Sequence, residues 1–363
     1  MKVLMISKAL VVASYRDKLR ELSALGIDLT ALTPTSWKEE GREIRFEEGQ
    51  DTTYAVIRAD LAWNGHFHLH YYPSLGRIVS EVRPDILHID EEPYNLATYL
   101  AFRAGGSVGA RSLFFTWQNI QRRYPPPFGL IERAVYAGAA YALAGSAESL
   151  EILRRKGYSG PAEVIPQFGV NTDVFAPGPP LEGPFTVGFM GRLVPEKGIA
   201  DLLAAFGLLA PPVRLILAGD GPMAGYVDAA SASWRREGRF ERYPRVPSAA
   251  VPDLLRRMDV VVLPSRTTKR WREQYGRILV EAMACGVSVI GSDSGEIPRV
   301  IDNAGVIFHE GDARALAQAL ESLAASPTAR SDLAAKGRER AITVFSQRIV
   351  AEQTADVYRR MTE

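Results

Sequence analysis

Short apolar runs alternate with amphipathic stretches along almost all of the 363 residues of this chain, and turn residues separate them. This pattern is typical of parallel β-sheets covered by α-helices. The alternation stops once, between Pro166 and Pro184, where five prolines indicate a linker, and then it begins again. The sequence therefore predicts an α/β protein with two doubly wound, Rossmann-like parallel-sheet domains.

The interruption also sets the predicted boundaries. We expect a first domain over residues 1–166, a linker over 167–184, a second domain over 185–344 and a closing helix over 345–363. Periodicity alone does not indicate where that helix packs. Ligands of open α/β sheets bind at the carboxyl ends of the strands, so we expect a ligand in a cleft between the two domains.

Composition excludes several classes of protein. The chain has 43 basic and 42 acidic side chains, and a net charge of +1 argues against a nucleic-acid partner. The single cysteine excludes a disulfide framework and a zinc site with several thiolates. No apolar run reaches the roughly 18 residues of a spanning helix, and Lys8 interrupts the signal-like start. We therefore expect a cytoplasmic protein.

The stretch Phe189–Phe206 is the most informative one for function. It predicts a strand that ends at Gly191, a loop that contains Arg192, and a helix that opens at Lys197. Two cations beside a helix amino terminus form an anion site, because the first amides and the helix dipole favour negative charge. A surface arginine and a helix-start lysine without a ligand would fit the pattern equally well.

A second stretch, Arg272–Ile301, carries two carboxylates. Glu273 precedes a predicted helix and Glu281 lies within it. Such acceptors suit sugar hydroxyls, and the amides of Tyr275, Gly276 and Arg277 at the helix start suit a phosphate. The alternative is that Glu281 is an ordinary helix residue, but a carboxylate among apolar neighbours needs a partner.

Glycine turns accompany both stretches. The segment Leu215–Pro222, LILAGDGP, predicts a buried strand that ends in a turn at Gly219, where backbone can approach a ligand. A plain tight turn fits this segment just as well.

Together these motifs carry a resemblance. GRLVPEKG, LAGDGP, DVVVLPS and EQYGRILVEAMACGVSVIGSDSGEIPRVI, followed by AGVIF and a helix, resemble the retaining nucleotide-sugar glycosyltransferases of family 4, which have the GT-B fold. The resemblance is strong from about Ile165 to Phe345 and weak in the first half. It implies a donor held by the second domain, an acceptor held mostly by the first, and a closing helix that returns to the first domain.

The resemblance also implies roles for single residues. Arg192 and Lys197 would hold the donor diphosphate, Glu281 would accept from the ribose hydroxyls, and Glu273 would contact the transferred sugar. The base would lie against main chain near Val246, at the end of a strand predicted over Phe240–Val246.

The first half departs from the family pattern. The loop after its first strand has no glycine pair, and Gln118 and Asn119 stand where many relatives place a histidine. Glu91 and Glu92 follow a predicted strand at its carboxyl end, where an acceptor site or a solvated loop would both fit. These four residues are the acceptor-side candidates.

The predicted function is transfer of a hexose-type sugar from a nucleoside diphosphate, the co-substrate, to a hydroxyl acceptor. No DxD motif follows a predicted strand, so we expect neither a metal nor a cofactor. The alternatives are an epimerase or phosphorylase of similar architecture, a non-catalytic nucleotide-sugar binder and a nicotinamide dehydrogenase.

Two weaker patterns leave alternatives open. His66, His68 and His70 would share one face of a strand and could bind a metal, although no carboxylate accompanies them. The segment Gln121–Phe128 mixes arginines with aromatic residues. It fits a rigid turn or a peripheral contact with the inner membrane face or a lipid-linked acceptor.

Overall fold

The computed structural model describes residues 1–39, 42–49 and 53–363. Contacts divide the chain into two compact units. The first unit combines Met1–Gly169 with Gln347–Glu363, and the second is the continuous stretch Val170–Ser346. Each unit is built around one parallel sheet, which confirms the predicted fold class.

Among its described residues, the first unit contains nine strands, six α-helices and two short 3₁₀ helices, Lys8–Val11 and Ala13–Arg16. The strands and α-helices are β1 Lys2–Ile6, α1 Asp17–Ala24, β2 Asp28–Pro34, β3 Ser36–Glu39, β4 Arg42–Arg45, β5 Ala55–Ala59, α2 Leu75–Val82, β6 Ile86–Ile89, α3 Leu96–Ser107, β7 Arg111–Thr116, α4 Phe128–Gly138, β8 Tyr141–Ala144, α5 Ala147–Arg155, β9 Ala162–Val164 and, from the chain end, α14 Gln347–Thr362. Seven strands form a sheet in the order β5-β2-β1-β6-β7-β8-β9, and β3 pairs with β4 in a separate hairpin. Strands β2 and β5 lie on one side of β1, whereas β6 to β9 lie on the other side. The strand order therefore reverses between β1 and β6.

Alternating apolar side chains give the first sheet two buried faces. Val3 and Met5 pack into one core with residues of α1 and α14, whereas Leu4 and Ile6 pack into the other with residues of α2 and α3. A period of two residues places successive side chains on opposite faces of a strand. Helices therefore cover both faces of the sheet at β1.

The second unit has six strands in the order β12-β11-β10-β13-β14-β15, all parallel. Its elements are β10 Phe185–Met190, α6 Ile199–Leu208, β11 Val213–Ala218, α7 Ala224–Ala230, α8 Ala232–Arg236, β12 Phe240–Tyr243, α9 Val251–Leu255, β13 Val260–Leu263, α10 Arg277–Ala284, β14 Ser288–Ser292, α11 Ile297–Ile301, β15 Val306–Phe308, α12 Ala313–Ala325 and α13 Pro327–Val344. Here the strand order reverses between β10 and β13.

One property of the helices concerns membranes. Among the residues that the structure describes, none of the helices combines the length and the apolar composition that crossing a lipid bilayer requires.

Candidate functional site

Two of the predicted donor residues of the second unit, Lys197 and Glu273, meet where the strand order reverses. Lys197 follows β10 and Glu273 follows β13, and the Nζ atom of Lys197 lies 2.6 Å from Oε2 of Glu273. In open parallel sheets the crevice at such a reversal is where ligands bind. Two segments that are far apart in sequence therefore place a cation and a carboxylate side by side at this edge.

Buried neighbours hold the Glu273 carboxylate in place. Glu273 is 7% exposed, and the hydroxyl of the fully buried Ser265 donates to its Oε2 over 2.7 Å. The Nζ atom of Lys197 lies 5.3 Å from the centre of the Trp271 ring, a cation–π distance. The backbone oxygen of Glu273 accepts a hydrogen bond from the amide of Glu296. The pair is thus positioned on several sides.

Two glycines permit a close approach between the loops that follow β10, β11 and β13. Gly198 has a φ of 66°, and a Cβ there would overlap the backbone oxygen of Pro264, at the end of β13. Gly219 has a φ of 146°, and a Cβ there would overlap the backbone oxygen of Gly191. Only glycine fits such positions without strain. The turn predicted at Gly219 is therefore a site of tight packing between the ends of β10 and β11.

The helix that carries Glu281 begins after a left-handed residue. Gly276, with a φ of 74°, precedes α10, so Tyr275, Gly276 and Arg277 place their backbone at a helix amino end. The Nε atom of Arg277 donates to Oε1 of Glu281 over 2.7 Å, which supplies the partner that this carboxylate needs. Burial raises the pKa of Glu281, and the guanidinium of Arg277 opposes that change.

Two further donor candidates lie in loops of the second unit. Arg192 is exposed in the loop after β10. Val246 does not end a strand as the sequence predicted, because β12 ends at Tyr243 and Val246 lies in the following loop. Pro244 explains the difference, since proline lacks the N–H group that would continue the ladder.

The acceptor-side candidates lie in loops after β6 and β7 of the first unit. Glu92 accepts hydrogen bonds from the Thr116 hydroxyl over 2.7 Å and from the Trp117 amide over 2.8 Å. Burial raises the pKa of Glu92 to about 7 despite these bonds. Glu91 forms an ion pair with Lys8, which follows β1. Burial opposes ionisation of Glu91, but Lys8 and His70 lower its pKa to about 2.

The two amide candidates bind charged neighbours. The side-chain oxygen of Gln118 accepts from Nζ of Lys156 over 2.8 Å, and its nitrogen donates to the Tyr124 hydroxyl over 3.4 Å. The nitrogen of Asn119 donates to Oε2 of Glu148 over 3.4 Å. All four acceptor-side candidates therefore lie at the carboxyl edge of the first sheet. Glu91 and Glu92 follow β6, beside the order reversal, and Gln118 and Asn119 follow the neighbouring β7.

Some site residues were missing from the sequence prediction. Ser265 and Trp271 contact the Lys197–Glu273 pair, and the position of Ser265 directly after the predicted strand Val260–Pro264 was the available signal. The segment with His66, His68 and His70 forms a series of turns rather than a strand, so the three rings do not share a strand face. Within the described residues, no group of three or more His, Cys, Asp or Glu side chains could hold a metal ion.

Comparison with known families gives two matches that together cover most of the chain. The family described as glycosyl transferases group 1 matches residues 171–340, and glycosyltransferase family 4 matches residues 11–174. Among solved structures, sucrose-phosphate synthase from Thermosynechococcus elongatus aligns with a TM-score of 0.74 at 20% identity, over 100% of this chain and 99% of that one. Anabaena HepE, in complex with UDP, aligns with a TM-score of 0.76 at 18% identity, over 99% and 100%.

Curated relatives are similar over shorter stretches. An alpha-maltose-1-phosphate synthase of Mycolicibacterium smegmatis is 32% identical over 64% of this chain. A glycogen synthase of Mycobacterium tuberculosis is 31% identical over 51% of it. The matched stretches span 66% and 44% of those relatives' own lengths. The motifs, the two parallel-sheet units and the family matches agree: the chain belongs to glycosyltransferase family 4 and has the GT-B fold.

Proposed function

We propose that this protein is a retaining glycosyltransferase that moves a hexose-type sugar from a nucleoside diphosphate sugar to a hydroxyl group of an acceptor, without a metal ion. The observation that carries the proposal is the Lys197–Glu273 pair at the order reversal of the second sheet. It sets a cation suited to a diphosphate beside a carboxylate suited to sugar hydroxyls. Membership of the family and the UDP bound by HepE support a nucleotide-sugar donor.

The chemistry follows from where charge develops. When the anomeric C–O bond breaks, the sugar becomes oxocarbenium-like and the diphosphate gains negative charge. Arg192, Lys197 and the amides that begin α10 are the groups of this chain that would stabilise the leaving diphosphate. The acceptor oxygen attacks from the same face, and its proton passes to the leaving phosphate oxygen, so configuration is retained and charge balances.

Donor binding would break the ion pair between Lys197 and Glu273. The diphosphate carries more charge than one carboxylate, so Lys197 would turn toward it, while Glu273 would accept from the sugar hydroxyls. Ser265 would keep the carboxylate in place, since its hydroxyl is buried and already donates to it. The buried Glu281, oriented by Arg277, would accept from the ribose hydroxyls.

Substitution of the two partners separates their roles. We expect Lys197→Ala to lower transfer and nucleoside diphosphate affinity together, because one lost donor to a developing anion costs about 3 kcal/mol. Glu273→Gln should reduce turnover at least 100-fold and leave the affinity for the bare nucleotide nearly unchanged. Calorimetry measures the affinities, and the anomeric signal of the product in NMR reports retention.

The matched controls are Lys336→Ala and Glu339→Gln, two exposed residues of α13 in the same unit. They should change neither quantity. Unchanged nucleotide affinity in Lys197→Ala would contradict the phosphate role of Lys197. Equal losses of turnover and nucleotide affinity in Glu273→Gln would contradict its role at the transferred sugar. Loss of activity in EDTA would contradict metal-independent transfer.

A further inference from the structure

Aromatic rings surround His68 at the carboxyl edge of the first sheet. Its ring centre lies 5.3 Å from those of Phe67, Tyr94 and Phe128, and 5.9 Å from that of Tyr124. His68 is partly exposed, and Phe67 is 43% exposed. We call these five residues the His68 box. Aromatic walls with one placed polar group are a usual composition of small-ligand sites.

The neighbour of His68 determines which ring nitrogen carries hydrogen. Asn95 is fully buried, and its side-chain nitrogen donates to Oε2 of Glu91 over 3.4 Å. The pKa of Glu91 is about 2, so its carboxylate is ionised at neutral pH and can only accept hydrogen bonds. The amide oxygen of Asn95 therefore faces Nδ1 of His68, at 3.3 Å. Since that oxygen also only accepts, Nδ1 carries the hydrogen.

The remaining nitrogen is an acceptor. In a neutral imidazole with hydrogen on Nδ1, Nε2 has a lone pair. Across residues 1–39, 42–49 and 53–363, the structure gives Nε2 of His68 no hydrogen-bond partner. The backbone also fixes this residue, because the amide of Leu96 donates to the carbonyl oxygen of His68 over 3.0 Å. The box therefore holds one oriented acceptor among aromatic faces.

Two lysines lie beside the box. Nζ of Lys8 lies 4.6 Å from the ring centre of Phe67, and Nζ of Lys156 lies 4.8 Å from that of Tyr124. Both lysines already form ion pairs, with Glu91 and Glu132 respectively. A phosphate placed here would have to compete with those carboxylates, whereas a neutral ring with hydroxyl groups would not.

We propose that the His68 box binds a neutral sugar ring of the acceptor, with Nε2 of His68 accepting a hydrogen bond from one of its hydroxyl groups. An apolar C–H face of the sugar packs against the exposed ring of Phe67. Asn95 acts through His68, as a positioning residue. This inference rests on the proposed transferase function and adds to it the chemical class of the acceptor, a neutral carbohydrate.

The test uses the full chain and two substitutions of His68. His68→Phe keeps an aromatic ring of similar shape and removes the lone pair, whereas His68→Gln restores a carbonyl acceptor. With donor saturating and maltose or methyl α-glucoside as acceptor, we expect kcat/KM to fall 10-fold to 100-fold in His68→Phe and to recover in part in His68→Gln. Nucleoside diphosphate affinity should not change. His66→Phe, an exposed position two residues away, is the matched control and should behave as wild type.

A second readout keeps the inference separate from the transferase proposal. Saturation-transfer NMR measures binding of the neutral saccharides without donor, and this binding should weaken in His68→Phe even if no donor supports turnover. A kcat/KM and saccharide binding in His68→Phe within twofold of wild type would overturn the role of His68. A preference of the wild type for glucose 6-phosphate over the neutral saccharides would overturn the acceptor class.

Discussion

Glu91 and Glu92 are adjacent in sequence, yet their surroundings move their pKa values in opposite directions. Lys8 and His70 outweigh burial at Glu91, whose pKa falls to about 2, whereas at Glu92 burial outweighs two hydrogen bonds and the pKa rises to about 7. A turn at the carboxyl end of β6 thus carries one carboxylate that is ionised at neutral pH and one that titrates near neutrality. The sequence predicted the position of both residues, but their charge states depend on partners up to 83 residues away.

The raised pKa of Glu92 predicts a pH dependence of stability. Between pH 4.5 and 7 the folded state keeps a proton that the unfolded chain releases, so the contribution of Glu92 is present below pH 4.5 and is lost as pH rises to 7. The pKa of Glu92 rises from 4.5 to about 7 on folding. At 1.36 kcal/mol per pK unit, this rise limits the contribution of Glu92 to the free energy of unfolding to about 3 kcal/mol. Glu92→Gln should remove this component. Calorimetric melting of both proteins from pH 4 to 8 measures it, and parallel curves would contradict the assignment.

At the scale of elements, the turn between β10 and α6 is tightly constrained by its neighbours. Gly198 combines a positive φ with contact against the backbone of Pro264, so this turn determines how closely Lys197 approaches the loop after β13. A side chain here would require the backbone to shift. The geometry of the Lys197–Glu273 pair therefore depends on a residue that carries no chemistry of its own.

Gly198→Ala should lower the free energy of unfolding more than an alanine at another left-handed glycine that has space for a Cβ atom. Gly238 has a φ of 71° and no atom within 4 Å of an added Cβ, so Gly238→Ala should cost only the left-handed strain of about 1–2 kcal/mol. Gly198→Ala adds an overlap with main chain and should also lower nucleoside diphosphate affinity. Urea unfolding and calorimetry compare the two variants. Equal losses of stability with unchanged affinity would show that the turn tolerates a side chain.

Elements were predictable where periodicity and burial coincide. A short apolar run predicts a strand over Ser288–Ser292, and an amphipathic stretch predicts a helix over Ala313–Ala325. The structure has both elements with those bounds. Helix α13 was missed because only Gly337 and Ala341 are buried along it, which leaves no apolar stripe to detect.

The sequence pattern also predicts an antiparallel excursion over Glu43–Phe46 and Tyr54–Leu61. In the structure β4 pairs antiparallel with β3, but β5 pairs in parallel with β2, so the predicted direction is wrong for the second segment. Side-chain alternation is the same in both pairings, and therefore the sequence pattern does not encode strand direction. For a related reason the Lys197–Glu273 contact was not predictable, because its two residues are 76 positions apart and meet only through the register of β10 and β13.

At the scale of the whole molecule, the two units differ in continuity. The second unit is one stretch of chain with its own core, whereas the first unit needs α14 from the chain end. Val350, Val357 and Met361 of α14 are buried in the core of the first unit, and the Tyr358 hydroxyl lies 2.6 Å from Nδ1 of His88. The order of elements along the chain therefore makes the first unit dependent on residues synthesised last.

This difference predicts the behaviour of fragments. Residues 170–346 expressed alone should fold and bind nucleoside diphosphates, because their core and the Lys197–Glu273 pair lie within one continuous stretch. Residues 1–169 alone should not fold stably. Loss of α14 removes several buried side chains from the core, and Val350, Val357 and Met361 among them are each worth about 1.5–3 kcal/mol, in a domain whose total stability is of the order of 5–15 kcal/mol.

Circular dichroism and thermal melting of both fragments measure this, with a synthetic peptide of residues 347–363 as the complementing control. Addition of the peptide should restore a cooperative transition to residues 1–169, since the buried face of α14 then regains its place against α1. A peptide with Val357 and Met361 replaced by Asp should fail to do so, because each substitution would bury a charge in the core of the first unit. Cooperative melting of residues 1–169 without any peptide would contradict this prediction. It would show that the first sheet and the helices of residues 1–169 form a stable core without α14.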